Sequence, residues 1–209
     1  MNVTIRVPHA AIRVCRPWDA VCSGKGGFTM KSSAPAKYTV LWLTLTALFT
    51  AVNVVLSSFG VPVPGGHLYL NDVVICTASI ILDPVAAFIV GGIGSFLGDF
   101  FFYPAPMFVS LVTHGLQAVV ISLCAHHLMK HKPVLGSAIG VILGAIIMVT
   151  GYSLGRAFIY STPEYALLKL PFQFLQAGVG AVAAMILCWK YHLPDALERV
   201  TEGHASSRL

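Results

Sequence analysis

Between Tyr38 and Trp189 the acids and strong bases are only Asp72, Asp83, Asp99, Lys130, Lys132, Arg156, Glu164 and Lys169, and most of them fall where apolar runs end. No water-facing surface can be built from such a stretch. The whole chain of 209 residues is 56% hydrophobic and 10% charged, against about 25% charged in soluble domains. The medium around the central region is therefore hydrocarbon. A helix needs roughly 20 apolar residues to cross it, with a range of about 17–25, which leaves room for about six spans and their turns. Runs this long exceed transmembrane strands, and open sheet edges cannot satisfy their backbone in lipid, so helices are the spanning element.

The pattern predicts an all-α membrane domain over 38–190, with spans near 38–59, 71–83 (short), 85–101, 107–129, 134–159 and 171–189. Asp83-Pro84, Tyr103-Pro104-Ala105-Pro106, Lys132-Pro133 and Ser161-Thr162-Pro163-Glu164 punctuate them. Lys31 and Lys37 precede the first span, Lys130 and Lys132 separate the fourth and fifth, and Lys190 and Arg199 follow the sixth. Six spans put all of these on one side, which the positive-inside tendency makes the cytoplasm, with both termini there. The turns at 60–70, 102–106 and 160–170 then face outward. Arg156 and Lys169 fall on that outer side against the trend, which reads as a functional exception.

The ends of the chain differ in character. Residues 1–29 are basic, lack an apolar run of their own and are not a secretory signal. Lys25-Gly26-Gly27 stands a few codons before Met30. Written AAA GGA GGN, it contains a bacterial ribosome-binding sequence, so the expectation is either a translated leader with the true start at Met30 or a disordered tail. Residues 30–37 read as a short cytoplasmic N-terminus and 191–209 as a polar cytoplasmic tail.

Several functions lack their residues. No basic stripe interleaves with aromatics, which argues against nucleic-acid binding. There is no phosphate-binding Gly-x-x-x-x-Gly-Lys-Ser/Thr loop, no His-Glu-x-x-His, and no nucleophile–base pair that stands out, so neither catalytic residues nor a cofactor are expected. Cys76, Cys124 and Cys188 lie inside apolar runs and read as small hydrophobes; Cys15 and Cys22 lack zinc spacing. His126, His127 and His131 sit among lysines at a helix end and read as a solvated cap, so no metal site is expected.

The remaining polar groups converge. His114 and Gln117, spaced i, i+3, share a face in the outer half of the fourth span. Tyr152 and Arg156 lie near the outer end of the fifth span, and Gln173 and Gln176 at the outer start of the sixth. Asn71 and Asp72 open the second span, Asp99 and Tyr103 close the third, and His67 and Tyr69 hang over them from the turn Gly60-Val-Pro-Val-Pro-Gly-Gly-His67-Leu-Tyr69-Leu-Asn71-Asp72. An ionisable residue at membrane depth is costly and points to function. Each has a packing alternative: Asp72 as a helix-start residue, Asp99 as an ion partner of Arg156, His114 as a core histidine, the glutamines as interhelical glue. The candidate substrate-binding set is His67, Tyr69, Asn71, Asp99, His114, Gln117, Tyr152, Arg156, Gln173 and Gln176. Small residues at Ala47-Leu-Phe-Thr-Ala51, Gly94-Ser-Phe-Leu-Gly98 and Gly140-Val-Ile-Leu-Gly144 let helices approach closely.

Ala47-Leu-Phe-Thr-Ala51, Gly65-Gly66-His67-Leu-Tyr69-Leu-Asn71-Asp72, Asp83-Pro84, Gly91-Gly92-Ile-Gly94-Ser95-Phe-Leu-Gly98-Asp99 and Phe108-Val-Ser-Leu-Val-Thr-His114-Gly115-Leu-Gln117 carry a family likeness. Over about residues 38–190 the chain resembles the substrate-binding S components of energy-coupling factor (ECF) vitamin transporters, riboflavin-type group. It departs at Asn71-Asp72, where the group more usually has Gly-Asp, and at His114-Gly115, where lysine-glycine is usual. The resemblance implies a bacterial plasma-membrane subunit with six helices that captures a water-soluble vitamin or precursor under its outer loops. It implies a T component and two ATPases as partners, with Ala47 and Ala51 docking on the T component. The candidate residues suit a neutral or weakly ionised heterocycle, with Phe172 and Tyr152 to stack on it and Arg156 to admit a carboxylate or phosphate; riboflavin, pyridoxine-like compounds and thiamine-precursor pyrimidines all fit. A stand-alone secondary transporter or channel is the competing reading, although no inverted repeat is visible.

Overall fold

The structure is a computed structural model that describes residues 40–64, 66–128 and 132–194. The expectations for the leader at 1–29, the segment 30–37, Lys130 and His131, and nearly all of the tail fall outside these residues. Helix α1 covers Val40–Ser57, α2 Asn71–Ile81, α3 Pro84–Phe102, α4 Met107–Leu128, α5 Pro133–Tyr160 and α6 Pro163–Lys190. All but α2 are long and apolar enough to cross a membrane. With 11 residues, α2 is about 16 Å long, short of the bilayer core, as its brief apolar run predicts.

The segment read as an open turn is a hairpin. Strands β1 (Gly60–Val63) and β2 (Gly66–Tyr69) pair antiparallel, with Gly60 opposite Tyr69 and Pro62 opposite His67. Pro62 has no N–H to give and is tolerated because a two-stranded ribbon has only edges. Gly66 takes φ +139°, a conformation that side chains with a Cβ rarely adopt.

Local chemistry sets the helix starts. Asp83 caps α3, its carboxylate accepting from the Val85 amide at 3.2 Å with Pro84 at the first helical position. The indole of Trp42 donates to the same carboxylate, tying α1 to the start of α3. The start of α6 differs from the expectation. Thr162 caps it and Pro163 opens it, so the helix begins eight positions before Pro171, which lies inside it. A cap followed by proline at the first position is a stronger start signal than an internal proline is a stop, because lipid and neighbouring helices keep the chain helical. Tyr165 and Lys169 thereby move from a presumed loop onto a helix.

Glycine seams hold the helices together. A Cβ on Gly94 would lie 2.7 Å from Asn53 Nδ2, and one on Gly98 would lie 2.5 Å from Ser57 Oγ. The first of these glycine pairs is therefore a contact of α3 with α1. Gly140, Gly144, Gly151 and Gly155 of α5 meet Cys124, Ile121, Thr113 and Val109 of α4 in the same way. Helix α4 sits at the centre, 56% of its apolar window buried, whereas α1 is peripheral at 17%. The Ala47 and Ala51 face of α1 is exposed. Toward the end where α5 begins and α6 finishes, Cys76, Ile80, Ile121, Val141, Ala184 and Cys188 form a dry cluster between α2, α4, α5 and α6.

Candidate substrate site

A cavity of about 180 Å³ opens at the hairpin end of the bundle. His67 and Tyr69 from β2, Asn71 from α2, Asp99 from α3, His114 from α4, Tyr152 and Arg156 from α5, and Gln173 and Gln176 from α6 all line it. Of the residues singled out in the sequence, Gln117 lies beneath the cavity rather than on its wall. Phe172 is not in the lining; the rings that are there belong to His67, Tyr69, Tyr103, His114, Tyr152, Tyr160 and Tyr165.

The floor is a hydrogen-bond network centred on Asp72, only 1% exposed. It is the second residue of α2, where the helix dipole favours an acid, but it does more than start a helix. Its carboxylate accepts from Gln117 Nε2 at 3.2 Å and from Gln176 Nε2 at 2.5 Å. Gly180 makes this possible: a Cβ there would lie 2.7 Å from that of Asp72, so α6 comes close enough for Gln176 to reach. A carboxylate can only accept, so both amides must point their nitrogens at it. The oxygen of Gln176 then accepts from the Tyr69 amide at 3.2 Å. The oxygen of Gln117 faces His114 Nδ1 at 2.7 Å, which assigns the ring proton to Nδ1. In the neutral ring Nε2 is left as an acceptor.

Higher up, the Ser110 hydroxyl lies between the Asp99 carboxylate, to which it donates, and the Tyr152 phenol. Asp99 is thus held by Ser110 rather than by an ion pair with Arg156. The Tyr152 ring packs 5.1 Å from that of His114. Arg156 lies over the Tyr160 ring, 5.7 Å from its centroid. Burial, reinforced by nearby Asp99, pushes the Tyr69 phenol up to about 12, so it stays a neutral hydroxyl at any physiological pH.

Lys169 and Tyr160 also line the cavity. Lys169 is buried, and its ammonium donates to the backbone carbonyl of His67. Together with the Tyr69–Gln176 bond, this pins the hairpin to α6. Its departure from the positive-inside trend was the one sequence signal for it. Tyr160, an aromatic at the outer end of a span, has the position of an interfacial belt residue.

Among the described residues seven buried side-chain polar atoms have no hydrogen-bond partner within the protein; Asn71 Oδ1, Arg156 Nη1, Tyr160 Oη and Gln173 Oε1 belong to these walls, and Asn53 Oδ1, Ser153 Oγ and Trp189 Nε1 lie outside them. Buried polar groups are almost always satisfied, and leaving one bare costs about 1–3 kcal/mol. The gathering of four of them around one cavity is the geometry of a site that a polar molecule completes. Elsewhere the described residues show no grouping of metal-ligating side chains; His126 Nδ1 bonds Ser122, and Cys76, Cys124 and Cys188 are buried thiols.

Residues 37–193 match the model of the family described as "ECF-type riboflavin transporter, S component". The chain is also similar to an uncharacterized protein from Pyrococcus woesei, described as lying in a gap 3' region, with 28% identity over 134 residues, covering 63% of this chain and 88% of that protein. The chain belongs to the S-component family, and is therefore a multi-pass membrane protein and a substrate-binding subunit of an ECF transporter, from a family of transporters rather than enzymes.

Proposed function

From that membership as premise, we propose that the cavity under the β1–β2 hairpin captures a water-soluble vitamin or vitamin precursor from the outer face of the plasma membrane. The ligand leaves inward when the subunit works with a T component and two ATPases. The observation that carries this reading is the set of partnerless buried atoms of Asn71, Arg156, Tyr160 and Gln173 facing one cavity. The outward orientation is supported by Lys132 and Lys190, which stand at the opposite end of the bundle from the hairpin. The exposed face of α1 that carries Ala47 and Ala51 is the docking surface for the T component, its small side chains suited to close helix contact. The family name and the ring-rich walls favour a flat heterocycle, riboflavin among them.

The test is to purify the full chain in detergent, identify by mass spectrometry any small molecule it releases, and titrate that molecule back. A wild-type protein that is folded and binds no small molecule would sink the reading. A47W, which leaves the cavity untouched, is expected to abolish uptake in cells that also make the T component and ATPases while ligand affinity stays within about twofold of wild type. Loss of affinity in A47W would remove the docking role.

A further inference from the structure

Resting on the reading of this cavity as the substrate site, we infer that its ligand is a flat heterocycle with N–H or O–H donors along one edge and a single oxyanion at the opposite end. The polarity of the walls gives both halves. On α5 the lining residues run Met148, Tyr152, Arg156, and on α6 they run Tyr165, Lys169, Gln173, Gln176. At 1.5 Å per residue the lining runs roughly 16–18 Å along these helices, from Tyr160 and Tyr165 to Met148 and Gln176, with Arg156, Tyr160 and Lys169 toward the rim and Gln173, Gln176, His114 and Met148 below.

The lower part offers acceptors. The Gln173 amide is oriented by its nitrogen, which points at the backbone carbonyls of Met148 and Val149 at 3.5 and 3.4 Å. A flipped amide would set oxygen against oxygen, so Oε1 is turned away from the helix and has no partner. Asn71 Oδ1 is likewise buried and bare. In its neutral form His114 adds an Nε2 lone pair, its other nitrogen held as a donor by Gln117 and, through Gln117, by Asp72. Gln173 Oε1, Asn71 Oδ1 and, in the neutral ring, His114 Nε2 come from three helices and select for hydrogens on the molecule that fills the space.

The rim offers the reverse. Arg156 Nη1 and Tyr160 Oη are buried without partners. The charged side chains that line the cavity are Arg156 and Lys169 against Asp99. Lys169 donates to the neutral His67 carbonyl and Asp99 accepts from the neutral Ser110 hydroxyl, so two cations share the lining with one carboxylate, and Arg156 Nη1 is the cationic donor left without a hydrogen bond. Arg156 is half-buried with its Nη1 out of water, which is costly without an anion, and its planar donors suit a carboxylate or phosphate.

The full chain, purified in detergent and depleted of small molecules, is heated in sulfate and in chloride at matched ionic strength. Sulfate is expected to raise the unfolding midpoint of the wild type over chloride by more than the general stabilisation sulfate gives, R156Q to lose that excess, and R156K to keep part of it. The compound released from the protein is expected to carry an acid group, and to bind R156Q about tenfold or more weakly, with Y160F weakened less. A released compound without an acid group that binds R156Q as tightly as wild type overturns the inference and leaves the binding-subunit reading standing. A folded wild type that releases no compound and shows no such excess in sulfate overturns both. Circular dichroism on each variant separates misfolding from lost recognition, and R156K serves if R156Q does not fold.

Discussion

Along α4, Ser110, His114 and Gln117 serve a polar cavity, while Ile121, one turn beyond Gln117, belongs to a dry cluster with Cys76, Ile80, Val141, Ala184 and Cys188. The same contrast runs along α2, from Asp72 to Ile80, and along α6, from Gln173 to Cys188. At the hairpin end side chains are polar, networked and in places unsatisfied. At the other end they are apolar, apart from the buried indole nitrogen of Trp189. In lipid there is no hydrophobic gain in bringing two apolar helices together, so the dry end depends on shape, on glycines that let Ile121 and Cys124 lie against α5. The polar end depends on hydrogen bonds in a medium where an unmade one is expensive. One end holds the bundle shut; the other lines a cavity with defined chemistry.

Substitutions should separate these roles. The largest effect is expected from G91V, since a Cβ at Gly91 would lie 2.7 Å from that of Ala118 and 2.8 Å from the His114 carbonyl. The backbones cannot part without opening the bundle beneath the site, so a loss of about 3 kcal/mol is expected, seen as loss of a monodisperse peak on size-exclusion chromatography. A monodisperse G91V that binds ligand normally would break the picture of a rigid seam.

D72A comes next. It strands the amide nitrogens of Gln117 and Gln176 and frees the tautomer of His114, so ligand affinity should fall by more than tenfold, with about 1–2 kcal/mol lost in stability. Calorimetric titration and thermal unfolding measure the two separately; a change in stability alone would make Asp72 a helix-start residue and nothing more. K169M removes one anchor of the hairpin and should speed ligand release about fivefold, the worth of roughly one hydrogen bond, with the unfolding midpoint nearly unchanged. Stopped-flow dissociation reads it, and unchanged release would leave the hairpin bond without a role in retention. The smallest effect on binding is expected from I121V in the dry cluster: about 1 kcal/mol of stability and no change in affinity. Altered affinity there would show that the two ends are coupled.

The membrane character of the fold was legible because charge is nearly absent from 38 to 189, and no local detail can outweigh that. The helix starts at Asp83-Pro84 and Pro133 were legible for the same kind of reason, a cap or proline with a local meaning. The true start of α6 was misplaced because Pro171 is a breaker in water and tolerated in lipid, and the misplacement hid Lys169 and Tyr165. The hairpin was read as a turn because two four-residue strands carry almost no periodic signal.

The sequence by itself determined that polar side chains from several helices share one half of the bundle, since depth along a helix follows from counting residues at 1.5 Å each. Only the tertiary structure decided what each of them does there. Asp72 became the acceptor that orients Gln117, Gln176 and His114 because Gly180 lets α6 settle against α2. Asp99 was taken by Ser110, which left Arg156 Nη1 without a hydrogen-bond partner. Hydrogen bonds act over about 3 Å, and contacts between residues a hundred positions apart depend on how helices pack, which spacing along a single chain does not encode.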